Sequence, residues 1–449
     1  QALAIKEKAI GPDHPDVAIS LNSLASIYKR QGKFSEAESL YRRSLSIYEK
    51  ALGPNHPDVA TFLNNLAELY RTQGKYTEAE PLYKRSLSIR EKSLGPDHPD
   101  VAAALNNLAA LYRTQGKYAE AGSLYKQSLA IKEKALGPDH ASVATSLNNL
   151  AGLYQTQGKY TKAEPLYKRS LAIWEKTLGP DHPDVATSMN NLTVLKAAQD
   201  KNQEALRLRL KANAVEDKVI ENIFSFASED ERFLFLKTIE GNRDSFFTLC
   251  SEQLADDESG AKSGLDYLIE RKGIVLDSLL EDIKAARLSD DPELKELMEE
   301  LRGIKGRLAK MVMAGPGDTN PGQYKKSIEE LKKKATELEK ELARKSAPFK
   351  ASLEMRQIGL EEVAGALPKG SALVEFARYR SFNFKATGKE PRWGDYNYIA
   401  YILRGGEKVP KLVTLGNAEK IEGLIRDYRE ALDDFSLGRG KTAEMKEAS

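Results

Sequence analysis

This 449-residue chain is poor in the residues that most catalysis draws on. It holds one cysteine, Cys250, two tryptophans and five histidines, none of them after His182. A single cysteine forms no internal disulfide, which suits a reducing, cytoplasmic setting. A nucleophilic thiol needs a base or electropositive neighbours, and no histidine lies near Cys250 in sequence. Cys250 therefore reads as a small buried hydrophobe. The charges nearly cancel, 68 Lys and Arg against 66 Asp and Glu, so no net field points to nucleic acid. No uncharged apolar run approaches the ~18 residues a membrane span requires. Gln1-Ala-Leu-Ala-Ile-Lys-Glu-Lys8 already has helical spacing, so the protein is expected to continue upstream of residue 1.

What is abundant is repetition. His14, His56, His98, His140 and His182 are spaced 42 residues apart, each in a Gly-Pro-Asp-His-Pro string or a one-residue variant of it. A fixed period of this length marks a solenoid of stacked units, mainly α-helical here. Zinc–nitrogen bonds are about 2 Å long, whereas neighbouring helices pack ~8–10 Å apart. Successive loop histidines thus cannot share a metal ion, and helix capping is the better account of them.

Each unit reads as two helices. Proline after histidine suits the first helical position, where a missing N–H costs nothing. Leu63, Leu66, Ala67 and Tyr70 follow at helical spacing until Gly74 ends the run. Thr77 with Glu80, Ser35 with Glu38, and Thr161 with Glu164 have the spacing of capping boxes for the second helix. Ala79, Leu82, Tyr83, Leu87 and Ile89 supply that helix with a buried face. After Leu192 the pattern decays, as expected of a terminal cap.

Leu66-Ala67, Tyr70, and Ala79 with Tyr83 resemble the tetratricopeptide (TPR) pattern. The standard unit has about 34 residues, and the longer one here is similar to the kinesin-light-chain type. The resemblance implies a right-handed superhelix over residues 1–212 that binds a peptide or partner protein on its concave face, lined by the first helices. It places Asn22, Asn64, Asn106, Asn148 and Asn190 on that face, where an amide can grip a peptide backbone through both donor and acceptor. Lys29, Arg71, Arg113 and Gln155 align nearby and favour an acidic ligand. Ser26, Glu68, Ala110, Gly152 and Val194 vary along another column and are candidates for specificity. No cofactor or metal is expected.

Residues 213–365 read as a helical region, with Phe224, Phe226, Phe233, Phe235, Phe246 and Phe247 supplying a separate core. Leu294, Leu297, Leu301, Ile304 and Leu308 alternate by three and four, as do Tyr324, Ile328, Leu331, Ala335, Leu338 and Leu342. With a Gly- and Pro-rich break between them, residues 293–345 are expected to form an antiparallel coiled-coil hairpin. From Ser371 the period shortens. Leu373–Tyr379, Asn397–Leu403 and Lys411–Leu415 are strand-like, and Asn417–Asp434 is helix-like. Residues 366–449 thus read as a small α/β segment. Gly438-Arg-Gly-Lys-Thr442 resembles the end of a phosphate-binding loop, but Phe435 stands where the leading glycine belongs and a helix precedes it. A flexible basic loop is expected there.

Glu270–Asp277, the heptad hairpin, Leu367–Glu375, Arg392-Trp393 and Tyr398–Leu403 together resemble the leading half of the CHAT domain, a caspase-like peptidase module fused to TPR arrays in bacteria. The resemblance implies that the array senses a ligand and regulates a C-terminal cysteine protease. That family's catalytic histidine and cysteine have no counterpart in residues 1–449, so this stretch is expected to be inactive by itself. The competing expectation is a non-enzymatic adaptor of the kinesin-light-chain kind.

Overall fold

The computed structural model describes residues 2–224, 227–287, 291–317, 319–355 and 358–436. Phe226 and the Gly438–Thr442 segment lie outside them. The chain clusters into two compact units, Gln1–Thr177 with Thr387–Lys389, and Leu178–Ala386 with Glu390–Ser449. No helix among the described residues is long and apolar enough to cross a membrane.

The first unit is a run of helices: α1 (Ala2–Ile10), α2 (Pro15–Arg30), α3 (Phe34–Leu52), α4 (Val59–Thr72), α5 (Tyr76–Leu94), α6 (Pro99–Gln115), α7 (Tyr118–Leu136), α8 (Ala141–Thr156) and α9 (Tyr160–Leu178). Pairs α2–α3, α4–α5, α6–α7 and α8–α9 are the expected two-helix repeats. Small residues let the helices approach closely: Ala25, Ala37, Ala67, Ala79, Ala109, Ala121, Ala151 and Ala163 are all fully buried. Tyr41, Tyr83, Tyr125 and Tyr167 fill the space beside them and are at most 2% exposed. One hydroxyl ties the two helices of a repeat: Ser86 donates to the Ala60 carbonyl at 2.7 Å, Ser128 to Ala102 at 2.7 Å, and Ser170 to Ala144 at 2.8 Å. Each second helix is followed by a glycine, Gly53, Gly95, Gly137 or Gly179, with φ of 89°, 83°, 87° and 92°, where a side chain would be strained.

The histidine period has a local cause. Nδ1 of His14, His98, His140 and His182 accepts the backbone N–H two residues on, each at 3.1 Å, and His56 does so at 3.3 Å. In four of the five repeats the histidine is the N-cap residue of the first helix, and the imidazole does the work usually given to Ser, Thr, Asp or Asn. The expected capping boxes do not form at α3 and α5. Those helices start earlier, at Phe34 and Tyr76, with Lys33 and Lys75 as caps and no side-chain capping bond. Ser35 and Thr77 therefore sit inside the first turn. Glu38 and Glu80 instead reach the following repeat, accepting from Tyr70 at 2.8 Å and Tyr112 at 3.1 Å.

The second unit opens with α10 (Pro183–Ala198) and α11 (Asn202–Phe224), so residue 212 falls inside a helix rather than at a break. Then come α12 (Glu229–Thr238), α13 (Glu240–Thr248), a π-helical turn (Leu249–Gln253), α14 (Glu258–Arg287), α15 (Pro292–Ala314), α16 (Pro321–Lys345), α17 (Ala347–Met355) and α18 (Leu360–Ala366). Helices α15 and α16 form the expected hairpin, with Leu294, Met298, Leu301 and Ile304 packed on Ala335 and Leu342. Strands β1 (Ala372–Phe382), β2 (Trp393–Arg404) and β3 (Lys411–Asn417) make an antiparallel sheet in that order, followed by α19 (Ala418–Ser436). Ala377, Tyr379, Ile399, Tyr401 and Leu403 share one buried face. The rings of Tyr379 and Tyr401 lie 6.3 and 6.5 Å from that of Phe247, so the sheet and the middle helices share a core. Phe233, expected in that core, is 69% exposed.

A nitrogen that accepts an N–H must be unprotonated, so these caps need neutral imidazoles. At His182 burial pulls the pKa down, with Asp184 and the Val312 backbone pulling the other way. The unfolded chain then takes up the proton first. Stability is full above the unfolded value of about 6.5 and falls as the pH drops through it. His182→Asn keeps a good cap without titrating. Urea midpoints compared at about pH 7.5 and about pH 5 should fall less in this variant than in the native chain. Equal losses would refute the account.

Candidate functional site

The asparagine column lies on the first helices: Asn22 on α2, Asn64 on α4, Asn106 on α6 and Asn148 on α8, each half-buried. A second asparagine follows each of the last three and reaches back one repeat. Asn65 Nδ2 donates to Asn22 Oδ1 at 3.1 Å, Asn107 to Asn64 at 2.8 Å, and Asn149 to Asn106 at 3.0 Å. The oxygens of Asn22, Asn64 and Asn106 are thus tied to the neighbouring repeat. Their amide nitrogens donate to no group among the described residues, which leaves a row of donors.

Asn190 is different. On α10 it donates to Glu216 Oε1 at 3.0 Å, and its own oxygen accepts from Arg209. Glu216 also accepts from Asn242 at 2.8 Å and from Arg271 at 3.3 Å, while Arg271 Nε lies 2.5 Å from Asp217. Arg209 is 1% exposed. The fifth asparagine is therefore part of a buried ion network, unlike Asn22, Asn64 and Asn106. Burial pulls Glu216 upward in pKa, and Arg209 and Arg271 more than reverse it; at Asp217 burial, joined by the neighbouring Glu216 charge, outweighs the pull of Arg271 and raises the carboxyl to about 6.

The neighbouring columns also divide. Glu68 takes Arg71 in a two-point ion pair, Nε at 2.8 Å and Nη2 at 2.6 Å, and accepts from the Tyr83 hydroxyl at 2.7 Å. Burial raises the Glu68 pKa, but these bonds outweigh it and hold the carboxyl below its ordinary value. Arg71 is thus neutralised within the chain. Gln155 is 5% exposed and accepts from Tyr167 at 2.8 Å. Lys29 and Arg113 have no carboxylate within ion-pair distance among the described residues. Ser26, Ala110 and Gly152 sit half-buried beside them, and Val194 is half-buried on α10. The asparagine-to-asparagine bonds were missed from sequence, although the doubled Asn64-Asn65, Asn106-Asn107 and Asn148-Asn149 were a visible signal for them.

Cys250 is fully buried, and burial pushes its thiol well above the ordinary range, with the Arg209 charge pulling weakly back. A cleft of about 400 Å³ beside Ile220, Leu236, Ile239, Tyr267 and Ile274 is rimmed by cations. Each of these is paired: Arg243 with Asp244, Arg271 with Asp217, Lys272 with Glu375. Among the described residues no three His, Cys, Asp or Glu side chains converge as a metal site.

A column of interrepeat amides on stacked two-helix units defines a helical-repeat scaffold of the kind that mediates protein–protein interaction. The tetratricopeptide-repeat family matches residues 1–50, 25–92, 58–134, 100–169 and 142–212, and residues 1–212 are tetratricopeptide repeats. Human (Homo sapiens) nephrocystin-3 is 50% identical over 44 residues, 10% of this chain, and the match spans only 3% of nephrocystin-3. Among solved structures, the Podosopora anserina putative kinesin light chain with nearly identical TPR-like repeats is 32% identical. It aligns over 46% of this chain and 97% of its own, with a TM-score of 0.39. BtubC (BKLC) from P. vanneervenii is 27% identical over 45% of this chain and 80% of its own, with a TM-score of 0.40.

Two outcomes follow. Asn107→Leu leaves the half-buried Asn64 oxygen without its donor and should lower stability by about 1 kcal/mol, read as a shift in the urea midpoint. Cys250 should resist iodoacetamide at neutral pH until the chain is unfolded, because the thiolate is both inaccessible and disfavoured. Rapid alkylation of the folded protein, followed by mass spectrometry, would contradict its burial.

Proposed function

We propose that this protein is a partner-binding scaffold of the cytoplasm that holds an extended peptide segment along the asparagine column of its first helices. The observation that carries this is the polarity of the column. Bonds between repeats orient Asn22, Asn64 and Asn106 and leave their N–H groups pointing away from internal partners. An extended chain presents carbonyl oxygens at regular intervals, and fixed donors suit it irrespective of its side chains. Pre-oriented amides lose little freedom when the ligand arrives. Lys29 and Arg113 add positive charge and favour acidic segments. Nothing on this face calls for nucleic acid, a membrane or a cofactor.

The finer reading is that ligand binding is passed through residues 213–365 to a caspase-like CHAT protease. It rests on the resemblance of the segments from Glu270 to Leu403, and on a helical hairpin followed by strands. Its catalytic pair would belong to sequence outside residues 1–449. An adaptor of the kinesin-light-chain kind is the alternative, favoured by the length and loop pattern of the repeats.

Random peptides selected on the intact chain provide the test. Asn106→Ala with Asn148→Ala removes two amides worth about 1 kcal/mol each and should weaken binding at least ~10-fold. Unchanged affinity, with the helical circular dichroism intact, would refute the clamp.

A further inference from the structure

Positions one repeat apart act as internal controls for one another. At Glu68 a guanidinium (Arg71) and a buried phenol (Tyr83) converge on one carboxylate. Forty-two residues on, Arg113 and Tyr125 are both retained, but Glu68 is replaced by Ala110. Tyr125 is as buried as Tyr83, each 1% exposed. Among the described residues neither the Tyr125 hydroxyl nor the Arg113 guanidinium has a hydrogen-bond or ion-pair partner.

The next repeat makes room for this pair. A Cβ at Gly152 would stand 3.0 Å from Arg113 Nη1 and 3.4 Å from the Tyr167 hydroxyl. The absence of a side chain at Gly152 thus leaves the guanidinium room that even a methyl group would crowd. The following repeat lacks the same donors, because Gln155 replaces the arginine and takes the Tyr167 hydroxyl itself. Burial pushes the Tyr125 phenol up in pKa while the charges of Arg113 and Arg71 pull it down.

We propose that the third repeat takes a ligand carboxylate at the place Glu68 fills in the second, with Arg113 and the Tyr125 hydroxyl as its donors and Gly152 beside it. This rests on the peptide-binding reading and deepens it. Arginine with a second donor is a strong and geometrically selective carboxylate receptor. In the second repeat the chain supplies the carboxylate, so that receptor is closed. In the third it is open. The proposal therefore sets both a ligand chemistry and a register for the acidic group.

The carboxylate has two possible sources, an Asp or Glu side chain or a peptide C-terminus, and two selections on the intact chain separate them. Random peptides fused through their C-termini offer side chains alone; peptides fused through their N-termini also offer a free C-terminal carboxylate. Expected is enrichment of Asp or Glu at one position in the first format, or of C-terminal binding in the second. Replacing that acid by its amide should then weaken binding at least ~10-fold. Ala110→Glu rebuilds the second-repeat pair around Arg113 and Tyr125 and should abolish the difference between acid and amide. Glu68→Ala opens the closed receptor and should add a second acidic preference, one repeat away. Arg113→Gln, which copies the native Gln155 of the next repeat, covers the case in which Ala110→Glu does not fold. Peptides selected without acids and indifferent to all three substitutions would overturn the proposal while leaving the clamp standing. No enrichment in either format would overturn the peptide reading itself.

Discussion

Close helix approach at alanine is the constraint from which the repeat array follows. Eight alanines, two per repeat, are fully buried where first and second helices meet. A larger residue at any of them would press a helix outward in a core packed as tightly as a crystal. With the backbones this near, the hydroxyls of Ser86, Ser128 and Ser170 reach a carbonyl of the partner helix. The same proximity brings one asparagine within hydrogen-bond distance of the one 43 residues earlier. Because each repeat contacts mainly its neighbours, a local spacing becomes the spacing of the whole array.

The array was legible because it is written five times over. Periodicity exposed the two helices per repeat, the histidine caps and the buried Ala–Tyr face, since noise in one copy is corrected by the others. The heptad hairpin and the three strands were also readable, each from its own period. The capping boxes at Ser35 and Thr77 were misread for a physical reason. A Ser or Thr three residues before a Glu fits a cap, but Glu38 and Glu80 find tyrosine hydroxyls in the next repeat. Tertiary partners outcompeted the local ones. Phe233 failed similarly: an aromatic residue in a helical run reads as core, and only the neighbours of α12 reveal which side is covered.

The candidate site was legible in its positions and illegible in its charges. Alignment of repeats located Asn22, Asn64, Asn106 and Asn148 on equivalent helices. It also grouped Lys29, Arg71, Arg113 and Gln155 as one basic column, and that grouping conceals three different situations. Arg71 is closed by Glu68, Gln155 is turned to Tyr167, and Lys29 and Arg113 remain without a carboxylate among the described residues. Charge is a property of neighbours as much as of residues, and a column read vertically loses the neighbours at i−3. Asn190 shows the same effect at the end of the series. At the position corresponding to Tyr41, Tyr83, Tyr125 and Tyr167 the chain places Arg209, which with Glu216 draws the fifth amide into a buried network.

Repetition also separates structural from functional sameness. An asparagine kept in every repeat invites a binding role, yet the bond from Asn65, Asn107 or Asn149 already accounts for the oxygen of Asn22, Asn64 or Asn106. Half of each of these three amides is thus explained by stacking alone, and only the N–H₂ group is available for a ligand. The reverse holds for the column of Ser26, Glu68, Ala110 and Gly152. Its members are half-buried and run from glycine to glutamate, so the stacking of repeats is compatible with side chains of very different size and charge. Their differences change what the adjoining Arg or Gln and the buried tyrosine are paired with: Glu68 takes both Arg71 and Tyr83, and Ala110 offers no such acceptor. Selectivity in such an array therefore belongs at the positions the packing leaves free to vary, while its capacity to hold a chain belongs at those that packing holds constant.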